Sequence, residues 1–343
     1  MSTKVYVGMS GGVDSSVTAA LLKQQGYEVV GVYMKNWTKD LPGFICPWKD
    51  DYMDAKRVAT QLDIDFQLYD FETEYRKKVV DYMVNEYKAG RTPNPDIMCN
   101  QEVKFKLFLE TATSDGADLI ATGHYARIKD ARLYTGLDPN KDQSYFLYRV
   151  SEDALKKSLM PIGEMNKPEV RRIAKKLGLF TAEKKDSQGI CFVGKVGIKE
   201  FLLNELGPQP SGPIINDKGQ QVGEHDGAIF YTIGQRHGLN VGGGLPYYVT
   251  RKDMENNILY VTTSLDNKNL WTEEVELSDM HWINQAPVSP SELQVRLRYR
   301  GPLIKASLKN NKLKLGEPAR GVASGQSAVI YSNDLVLGGG VIS

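Results

Sequence analysis

The stretch GMSGGVDS, residues 8–15, decides how the first half of this chain folds. It overlaps the end of KVYVGM (4–9), which has the apolar pattern of a buried strand, and it leads into SSVTAALLKQQ (15–25), which has the pattern of a helix. Adjacent glycines allow close approach of the backbone, serines offer hydroxyl donors, and the helix start presents unpaired N–H groups. The stretch therefore predicts a cradle for an anion, most naturally a phosphate. A glycine-rich turn with a capping serine is the alternative.

The loop differs from the two common phosphate motifs. No Gly-Lys-Ser/Thr follows it, as a Walker A loop requires, and its glycines lack the G-x-G-x-x-G spacing. The form S-G-G-x-D-S instead resembles the pyrophosphatase loop of N-type enzymes that cleave ATP to AMP and pyrophosphate. Asp14 is anionic and cannot donate to a phosphate. We expect it to hold a magnesium ion that bridges to phosphate oxygens, to cap the helix, or both.

Strand and helix patterns alternate outward from the loop. The predicted elements are the strands EVVGVYM (28–34), FQLY (66–69) and ADLIATG (117–123) and the helices 51–61 and 73–88. This order predicts an α/β domain whose parallel sheet is covered by helices on both faces. Ligands of such sheets bind at the carboxyl ends of the strands. Met34 and Gly123, which end two of the strands, are therefore expected at the ligand site.

Three further regions follow the α/β domain. Helical patterns dominate from about 144 to 206, with Pro168 at a helix start and Gly178 at its end. Residues 207–245 contain ten glycines, and strand patterns then run to the last residues, including the alternating LQVRLRYR (293–300). We expect a helical extension, a small central β domain and a carboxyl-terminal β-barrel. The predicted domain bounds are 1–143, 144–206, 207–275 and 276–343.

Composition excludes several classes of protein. Of the 343 residues, 41% are hydrophobic and 25% are charged, which excludes a wholly disordered or fibrous chain. No apolar run approaches the roughly 18 residues of a membrane-spanning helix, and the first residues lack a secretion signal. Three cysteines and four histidines are too scattered for a disulfide framework or a zinc site. We therefore expect a cytoplasmic protein with no membrane partner and no metal site built from its own side chains.

Two of the cysteines have neighbours that favour a reactive thiol. Cys99 follows the rigid stretch GRTPNPDIM and is expected in a loop near a helix N-terminus, with Asp96 three residues before it. Cys191 lies between Gly189 and Gly194, with lysines nearby, and this setting also favours a thiolate. A buried structural role is the alternative for each. Two such thiols beside an ATP-cleaving loop suggest sulfur transfer, in which one carries a persulfide and the other resolves it.

Eight segments along the chain establish a wider resemblance. They are GMSGGVDSS, GRTPNPDIMCN, ATGHYAR, NKDQSYFLY, KKDSQGICFVG, GQRHGLNVGG, VRLRYR and ASGQSAVIY. In this order they resemble the tRNA-specific 2-thiouridylases of the PP-loop ATP pyrophosphatase superfamily. The resemblance implies ATP-dependent 2-thiolation of the wobble uridine of tRNA, with Mg²⁺ accompanying ATP. It also implies an upstream sulfur donor, either a cysteine desulfurase or a sulfur-relay protein.

The resemblance assigns roles to individual residues. Cys191 would carry the persulfide, Cys99 would form a disulfide with it during turnover, and Asp96 would act as general acid and base beside the uracil. The residues expected to hold ATP are Gly8, Met9, Ser10, Gly11, Gly12, Val13, Asp14, Ser15, Met34 and Gly123. Those expected to contact tRNA are Asn94, Pro95, Asp96, His124, Lys141, Asp142, Gln143, Tyr299, Arg300 and Gln326. Strand alternation places Arg300 on a basic face, which suits phosphate binding, but places Tyr299 on the apolar face.

Two other functions stay open. An amide-forming ligase with the same loop, such as an argininosuccinate, NAD or GMP synthetase or a lysine-adding tRNA ligase, would need no pair of cysteines. A non-catalytic RNA-binding or regulatory protein could use the loop to sense a nucleotide.

The net charge of +1 hides an uneven distribution. Residues 141–205 carry a net +4 and residues 295–320 a net +7, whereas residues 206–294 carry a net −6. We expect the two basic blocks to hold two parts of one tRNA, with an affinity that falls steeply with salt. In the second block, the exposed face is predicted to present Arg296, Arg298 and Arg300. A solvated charged face is the alternative for each block.

Overall fold

The computed structural model describes residues 2–185, 197–239, 241–242, 244, 246–287 and 293–343. Its strands are β1 (Lys4–Gly8), β2 (Glu28–Lys35), β3 (Asp65–Asp70), β4 (Leu119–Ala121), β5 (Ala126–Lys129), β6 (Arg132–Thr135), β7 (Ser158–Leu159), β8 (Gly212–Ile215), β9 (Gln221–His225), β10 (Tyr248–Asp253), β11 (Ile258–Thr262), β12 (Trp271–Trp282), β13 (Leu293–Arg296), β14 (Ile304–Lys309), β15 (Lys312–Arg320), β16 (Ser327–Ser332) and β17 (Leu335–Ile342). Its α-helices are α1 (Val13–Gln24), α2 (Trp48–Gln61), α3 (Glu72–Tyr75), α4 (Asp81–Lys88), α5 (Pro95–Met98), α6 (Phe108–Ser114), α7 (Glu152–Lys156), α8 (Lys167–Lys176) and α9 (Ile198–Leu206).

The helices α3 and α4, and likewise α5 and α6, are joined by wider helical turns. The π-helical stretch Arg76–Val80 continues α3 into α4, and the stretch Cys99–Leu107 continues α5 into α6. Such widened turns are rare in proteins and occur often at functional sites. Here the second stretch begins at a predicted catalytic residue.

The parallel sheet predicted around the phosphate loop is confirmed. In the described part of the chain its strand order is β3-β2-β1-β4-β7, and these neighbours pair in parallel. Because side chains alternate along a strand, Val5 and Val7 pack with α1, α2 and α8, whereas Tyr6 packs with the helices of residues 72–114 on the other face. Helices thereby cover both faces of the sheet.

Two short elements connect regions that the sequence analysis predicted to be separate domains. The strand β7 lies within the predicted helical extension, yet it pairs with β4 at the edge of the parallel sheet. The hairpin β5–β6 lies in the first half of the chain, yet β6 pairs with β17, near the end of the chain. Strands of two to four residues are too short to show a period-2 pattern, so no sequence signal marks them.

Two β units follow the helices, as predicted. The strands β10-β11-β8-β9 form a small sheet around Ile214, Val249 and Leu259. The strands β12-β15-β14-β13-β16-β17 form a barrel that the pairing of β12 with β17 closes. Among the described residues, no helix has both the length and the apolar character needed to cross a membrane.

The predicted strand 293–300 is too long. Leu293 and Val295 do face the barrel core, but β13 ends at Arg296 and the chain then turns. Arg300 has a φ of +58°, a left-handed conformation that breaks the strand alternation. The Gly301-Pro302 pair that follows is typical of a turn rather than of a continuing strand.

Candidate active site

The phosphate loop runs from the carboxyl end of β1 directly into α1. Gly11 has a φ of +72°, and a Cβ at this position would fall 2.3 Å from the carbonyl oxygen of Asp51, so the loop requires glycine there. The Ser15 hydroxyl accepts from the Ser10 N–H at 3.2 Å and donates to the Gly12 carbonyl at 3.2 Å. Gly12 is the N-cap of α1, and no side chain caps it. The helix N-terminus is therefore available to an anion.

Asp14 lies in the first turn of α1, so the expectation that it caps this helix is wrong. Its carboxylate is held by two other side chains. Lys167 Nζ, at the start of α8, donates to both carboxylate oxygens at 2.7 and 2.8 Å, and the Tyr125 hydroxyl donates at 2.8 Å. The Lys167 side chain is only 10% exposed. The loop thus contains a paired carboxylate at the point where an anion would bind.

The strand ends pack tightly around the loop. A Cβ on Gly8 would fall 2.9 Å from the Met34 Cε, and one on Gly123 would fall 2.8 Å from the Ser15 nitrogen. The sheet therefore brings together the loop and the two strand-end residues that the sequence predicted. The side chains of Met9 and Val13 are buried in the core, so only their backbone can face a ligand.

Asp96 and Cys99 lie on a helix rather than in the predicted loop. Asn94 is the N-cap of α5 and Pro95 occupies its first turn, so the helix begins four residues before Cys99. A separation of three residues places Asp96 and Cys99 on one face of this helix. Cys99 is 4% exposed and packs in the main core, so its thiol is shielded from solvent in this conformation.

Burial shifts the pKa values of two predicted site residues. Desolvation raises the pKa of Asp96, and the positive charge of Lys104 opposes this rise. His124 accepts or donates a hydrogen bond between its Nδ1 and the Thr122 hydroxyl at 2.8 Å. Burial, followed by the charge of Lys104, lowers the pKa of His124 well below its ordinary value, so the imidazole is neutral at neutral pH. The charge of Lys104 therefore acts on both Asp96 and His124.

A turn of the barrel, residues 324–326, holds the segment that leads into α5. The Gln326 side-chain NH₂ group donates to the carbonyls of Thr92 at 2.8 Å and Pro93 at 3.4 Å. The Ser324 carbonyl accepts from the Thr92 N–H at 2.8 Å. The barrel thus positions the backbone just before residues 94–96, the predicted target-base contacts.

The predicted tRNA segment 141–143 joins the α/β domain to the barrel. Asp142 is 6% exposed, and its carboxylate accepts from the N–H groups of Gly136 and Ser144 and from Arg296 at 3.2 Å. The prediction that Arg296 lies on an exposed basic face is therefore wrong. Its side chain is 17% exposed, because a buried carboxylate needs a cationic partner.

Gln143 connects the same segment to the phosphate loop. Its side-chain carbonyl accepts from the Tyr125 N–H at 2.9 Å, and its own N–H donates to the Tyr125 carbonyl at 2.9 Å. The Tyr125 hydroxyl in turn reaches Asp14. A continuous set of contacts therefore runs from the barrel to the start of α1.

Tyr299 and Arg300 occupy the turn after β13. Tyr299 is half-buried against Phe146, with ring centroids 4.4 Å apart, in agreement with its predicted apolar face. Arg300 is exposed, and its guanidinium lies 5.2 Å from the Tyr299 ring centroid. The Arg300 guanidinium also donates to the Asn140 carbonyl at 3.3 Å, and the side chain stays exposed to solvent.

Known proteins resemble the chain along its whole length. Three family models match in succession: the tRNA methyl transferase HUP domain over residues 3–195, the tRNA methyl transferase PRC-barrel domain over 199–263, and the aminomethyltransferase beta-barrel domain over 272–342. The tRNA-specific 2-thiouridylase MnmA of Geobacillus thermodenitrificans (strain NG80-2) is 48% identical over 351 residues, which cover 99% of this chain and 94% of that protein. That of Serratia proteamaculans (strain 568) is 48% identical over 355 residues, which cover 99% and 96%. The chain belongs to the tRNA-specific 2-thiouridylase family.

A solved 4-thiouridine synthetase–RNA complex with bound ATP shows a weaker structural similarity to this 2-thiouridylase family member. The TM-score is 0.40 at 17% identity, over 60% of this chain and 50% of the other.

The second thiol that the 2-thiouridylase resemblance implies, Cys191, lies outside the described residues. The described chain before it ends beside the phosphate loop. Lys184 donates to Asp51 and Asp54, each at 2.7 Å, and the carbonyl of Asp51 is the group that closes around Gly11. Lys184 is one of the lysines that lie near Cys191 in the sequence, and its charge is paired with these two carboxylates.

Sequence reasoning missed three side chains of this site. Tyr125 and Lys167 hold Asp14, and Lys104 acts on both Asp96 and His124. Lys167 is separated from Asp14 by 153 residues, so no local spacing could pair them. The one usable signal was that Lys167 begins a helix whose start Pro168 had marked.

Proposed function

We propose that this protein catalyses the ATP-dependent 2-thiolation of the wobble uridine of tRNA. The observation that supports this most strongly is 48% identity, over 99% of the chain, to proteins named tRNA-specific 2-thiouridylases. The uncapped N-terminus of α1 and the burial of the Asp96 and His124 side chains give further support. A cytoplasmic location, where thiols stay reduced, fits this role.

In the first proposed step, the C2 oxygen of the uracil attacks the α-phosphorus of ATP, and pyrophosphate leaves. The loop of residues 8–15, with Met34 and Gly123, would hold the nucleotide. Asp14 would hold Mg²⁺, which supplies charge neutralisation to the polyphosphate. No group of three or more His, Cys, Asp and Glu side chains among the described residues could hold a metal. The ion would therefore take its other ligands from phosphate and water, as Mg²⁺ commonly does.

In the second proposed step, the terminal sulfur of a Cys191 persulfide attacks C2, and AMP leaves with the former uracil oxygen. The Cys99 thiolate then attacks the Cys191 sulfur, so that the new carbon–sulfur group is released and a Cys99–Cys191 disulfide forms. A cellular dithiol reduces this disulfide, and a cysteine desulfurase or sulfur-relay protein restores the persulfide. Asp96 would act as the general acid and base that transfers protons to and from the uracil. Burial of Cys99 implies that tRNA binding moves the start of α5 before this chemistry occurs.

The proposal extends to tRNA contacts on the α/β domain and on the barrel. Asn94, Pro95, Asp96 and His124 would surround the target uracil, and Arg300 would bind phosphate. The other predicted contacts are Lys141, Asp142, Gln143, Tyr299 and Gln326. Because Asp142, Gln143 and Gln326 already make internal hydrogen bonds, we propose that they shape the tRNA surface mainly through the backbone that they position.

The decisive experiment is mass spectrometry of nucleosides from unmodified tRNA incubated with the protein, ATP, dithiol, and a cysteine desulfurase with cysteine as the persulfide source. We expect 2-thiouridine, with AMP and pyrophosphate formed in a tRNA-dependent manner. Cys99→Ser and Cys191→Ser should each abolish the product, and Cys46→Ser is the matched control. Full product from either catalytic-thiol variant would refute the persulfide scheme, and the absence of thiolated product from the wild type would refute the function.

The same experiment separates the alternatives. Two of the matching family models are named for methyl transfer, and a methylated uridine differs from a thiolated one in mass and absorbance. An amide-forming ligase would release AMP and pyrophosphate without needing either cysteine. A nucleotide-sensing RNA-binding protein would bind tRNA without releasing pyrophosphate.

A further inference from the structure

Lys167 is the cation that faces the phosphate loop from α8. Its ammonium group lies 2.7 and 2.8 Å from the two carboxylate oxygens of Asp14, in the first turn of α1. It also lies 5.7 Å from the centroid of the Tyr125 ring. None of the residues predicted to hold ATP supplies a cationic side chain, although the loop is expected to receive a polyanion.

The backbone at Lys167 is held in place by contacts that do not involve its ammonium group. Its backbone N–H donates to the buried carboxylate of Asp138 at 3.0 Å, and the Asn166 side chain caps the helix that it begins. The helix α8 packs against α1 through Val170 and Ala174. The ammonium itself sits on a flexible four-carbon stem, so it can change partners while the helix stays in place.

We infer that Lys167 is a counter-ion exchanger for the nucleotide: it neutralises Asp14 in the empty loop and transfers its ammonium to the pyrophosphate part of ATP when the nucleotide binds. This inference rests on the proposed function only in taking ATP as the ligand of the loop. The exchange keeps Asp14 compensated before binding and frees it for a divalent cation afterwards. No covalent bond is made or broken, and the Lys167 ammonium group keeps its proton.

The exchange differs from a purely structural ion pair in a measurable way. A structural pair would make Lys167 important only because its loss leaves Asp14 uncompensated. Neutralising Asp14 as well would then restore anion binding. In the exchange, Lys167 contributes directly to the bound anion, so removing both charges does not restore affinity.

The test measures binding of inorganic pyrophosphate, ATP and adenosine to the full-length protein by calorimetry, in metal-free buffer without tRNA. Lys167→Met should weaken pyrophosphate and ATP binding on the order of 10- to 100-fold while adenosine binding stays unchanged. The double variant Asp14→Asn/Lys167→Met should remain weak, and Lys167→Arg should recover part of the affinity. Lys4→Met is the matched control, since Lys4 forms an ion pair with Glu28 at 3.1 Å at the opposite end of β1.

Three results with the variants would overturn the inference. They are unchanged pyrophosphate affinity in Lys167→Met, restored affinity in the double variant, and equal loss of adenosine and pyrophosphate binding. Failure of the wild type to bind pyrophosphate would also overturn it. The nucleoside assay on wild-type protein tests the proposed function separately. A negative result in the binding test therefore does not decide whether the protein thiolates tRNA.

Discussion

At Asp96 and His124, burial moves two pKa values in opposite directions, because in each case it disfavours the charged form. Lys104 opposes this effect at the carboxyl group and reinforces it at the imidazole. The sequence identified Asp96 and His124 through their motifs, but it could not identify the lysine. Lys104 matters only because the π-helical stretch Cys99–Leu107 places its charge near both groups. Motif spacing reveals residues that define a family, whereas the electrostatic environment depends on the fold.

Lys104→Gln should raise the pKa of both Asp96 and His124, since the variant removes the positive charge that lowers each of them. Asp96 would then stay protonated to a higher pH, so the acidic limb of the thiolation rate should move to higher pH. The His124 titration can be followed directly by NMR. The control is Lys106→Gln on the same helix, where the lysine pairs with Glu102 at 3.3 Å. An unmoved His124 titration in Lys104→Gln would contradict the assignment.

Element by element, the patterns that span several turns or strands were the predictable ones. The strand–loop–helix unit of β1 and α1, the parallel sheet, and the helix at Pro168 follow from period and capping signals. The early start of α5 also had a signal, since Pro95 favours the first turn of a helix, but the loop-forming character of the surrounding residues concealed it. The strands β5, β6 and β7 are too short to show a usable pattern, and the partners of β6 and β7 outside the β5–β6 hairpin are distant in sequence.

Replacement of Gly11 tests the geometry of the loop as an element. Gly11→Ala combines a φ of +72° with a Cβ only 2.3 Å from the Asp51 carbonyl oxygen. The expected cost in unfolding free energy is about 2–5 kcal/mol, or loss of pyrophosphate binding if the loop moves to avoid the clash. Gly26→Ala is the matched control, since Gly26 has a φ of +87° but nothing within 4 Å of the added Cβ. It should cost only about 1 kcal/mol and leave binding intact. Equal effects of the two replacements on thermal unfolding and binding would mean that the contact with Asp51 is unimportant.

At the scale of the whole molecule, the barrel is attached to the α/β domain by specific contacts. The hairpin β5–β6 extends the sheet of the barrel, Gln326 holds the segment before α5, and Arg296 pairs with the buried Asp142. The charges summed by segment predicted a basic block, but they could not show that Arg296 pairs with a buried carboxylate instead of facing solvent. Net charge counts side chains without regard to the direction in which they point.

Arg296→Met should destabilise the junction between the two domains. It leaves the Asp142 carboxylate, 6% exposed, without its cationic partner, and a broken buried pair costs about 3–5 kcal/mol. The change is measured as the midpoint of thermal unfolding. The double variant Arg296→Met/Asp142→Asn should recover part of the loss, whereas Arg298→Met, at an exposed position, should have little effect. A loss in Arg296→Met no larger than that in Arg298→Met would show that the pair does not hold the junction.

The remaining arginines of the turn after β13 should act on tRNA rather than on stability. Arg298 and Arg300 are exposed, and phosphate binding makes affinity depend on salt through release of counterions. In Arg298→Gln/Arg300→Gln, the slope of log affinity for tRNA against log salt concentration should become shallower by about 0.7–0.9 for each phosphate that the variant no longer neutralises. Thermal unfolding and pyrophosphate binding should stay at wild-type values.

The matched control is Lys309→Gln/Lys312→Gln, at the end of β14 and the start of β15, which removes the same charge from the same barrel. If both double variants reduce the slope equally, the barrel attracts tRNA through its overall charge. If only the arginine variant does so, the turn beside Tyr299 is the contact surface.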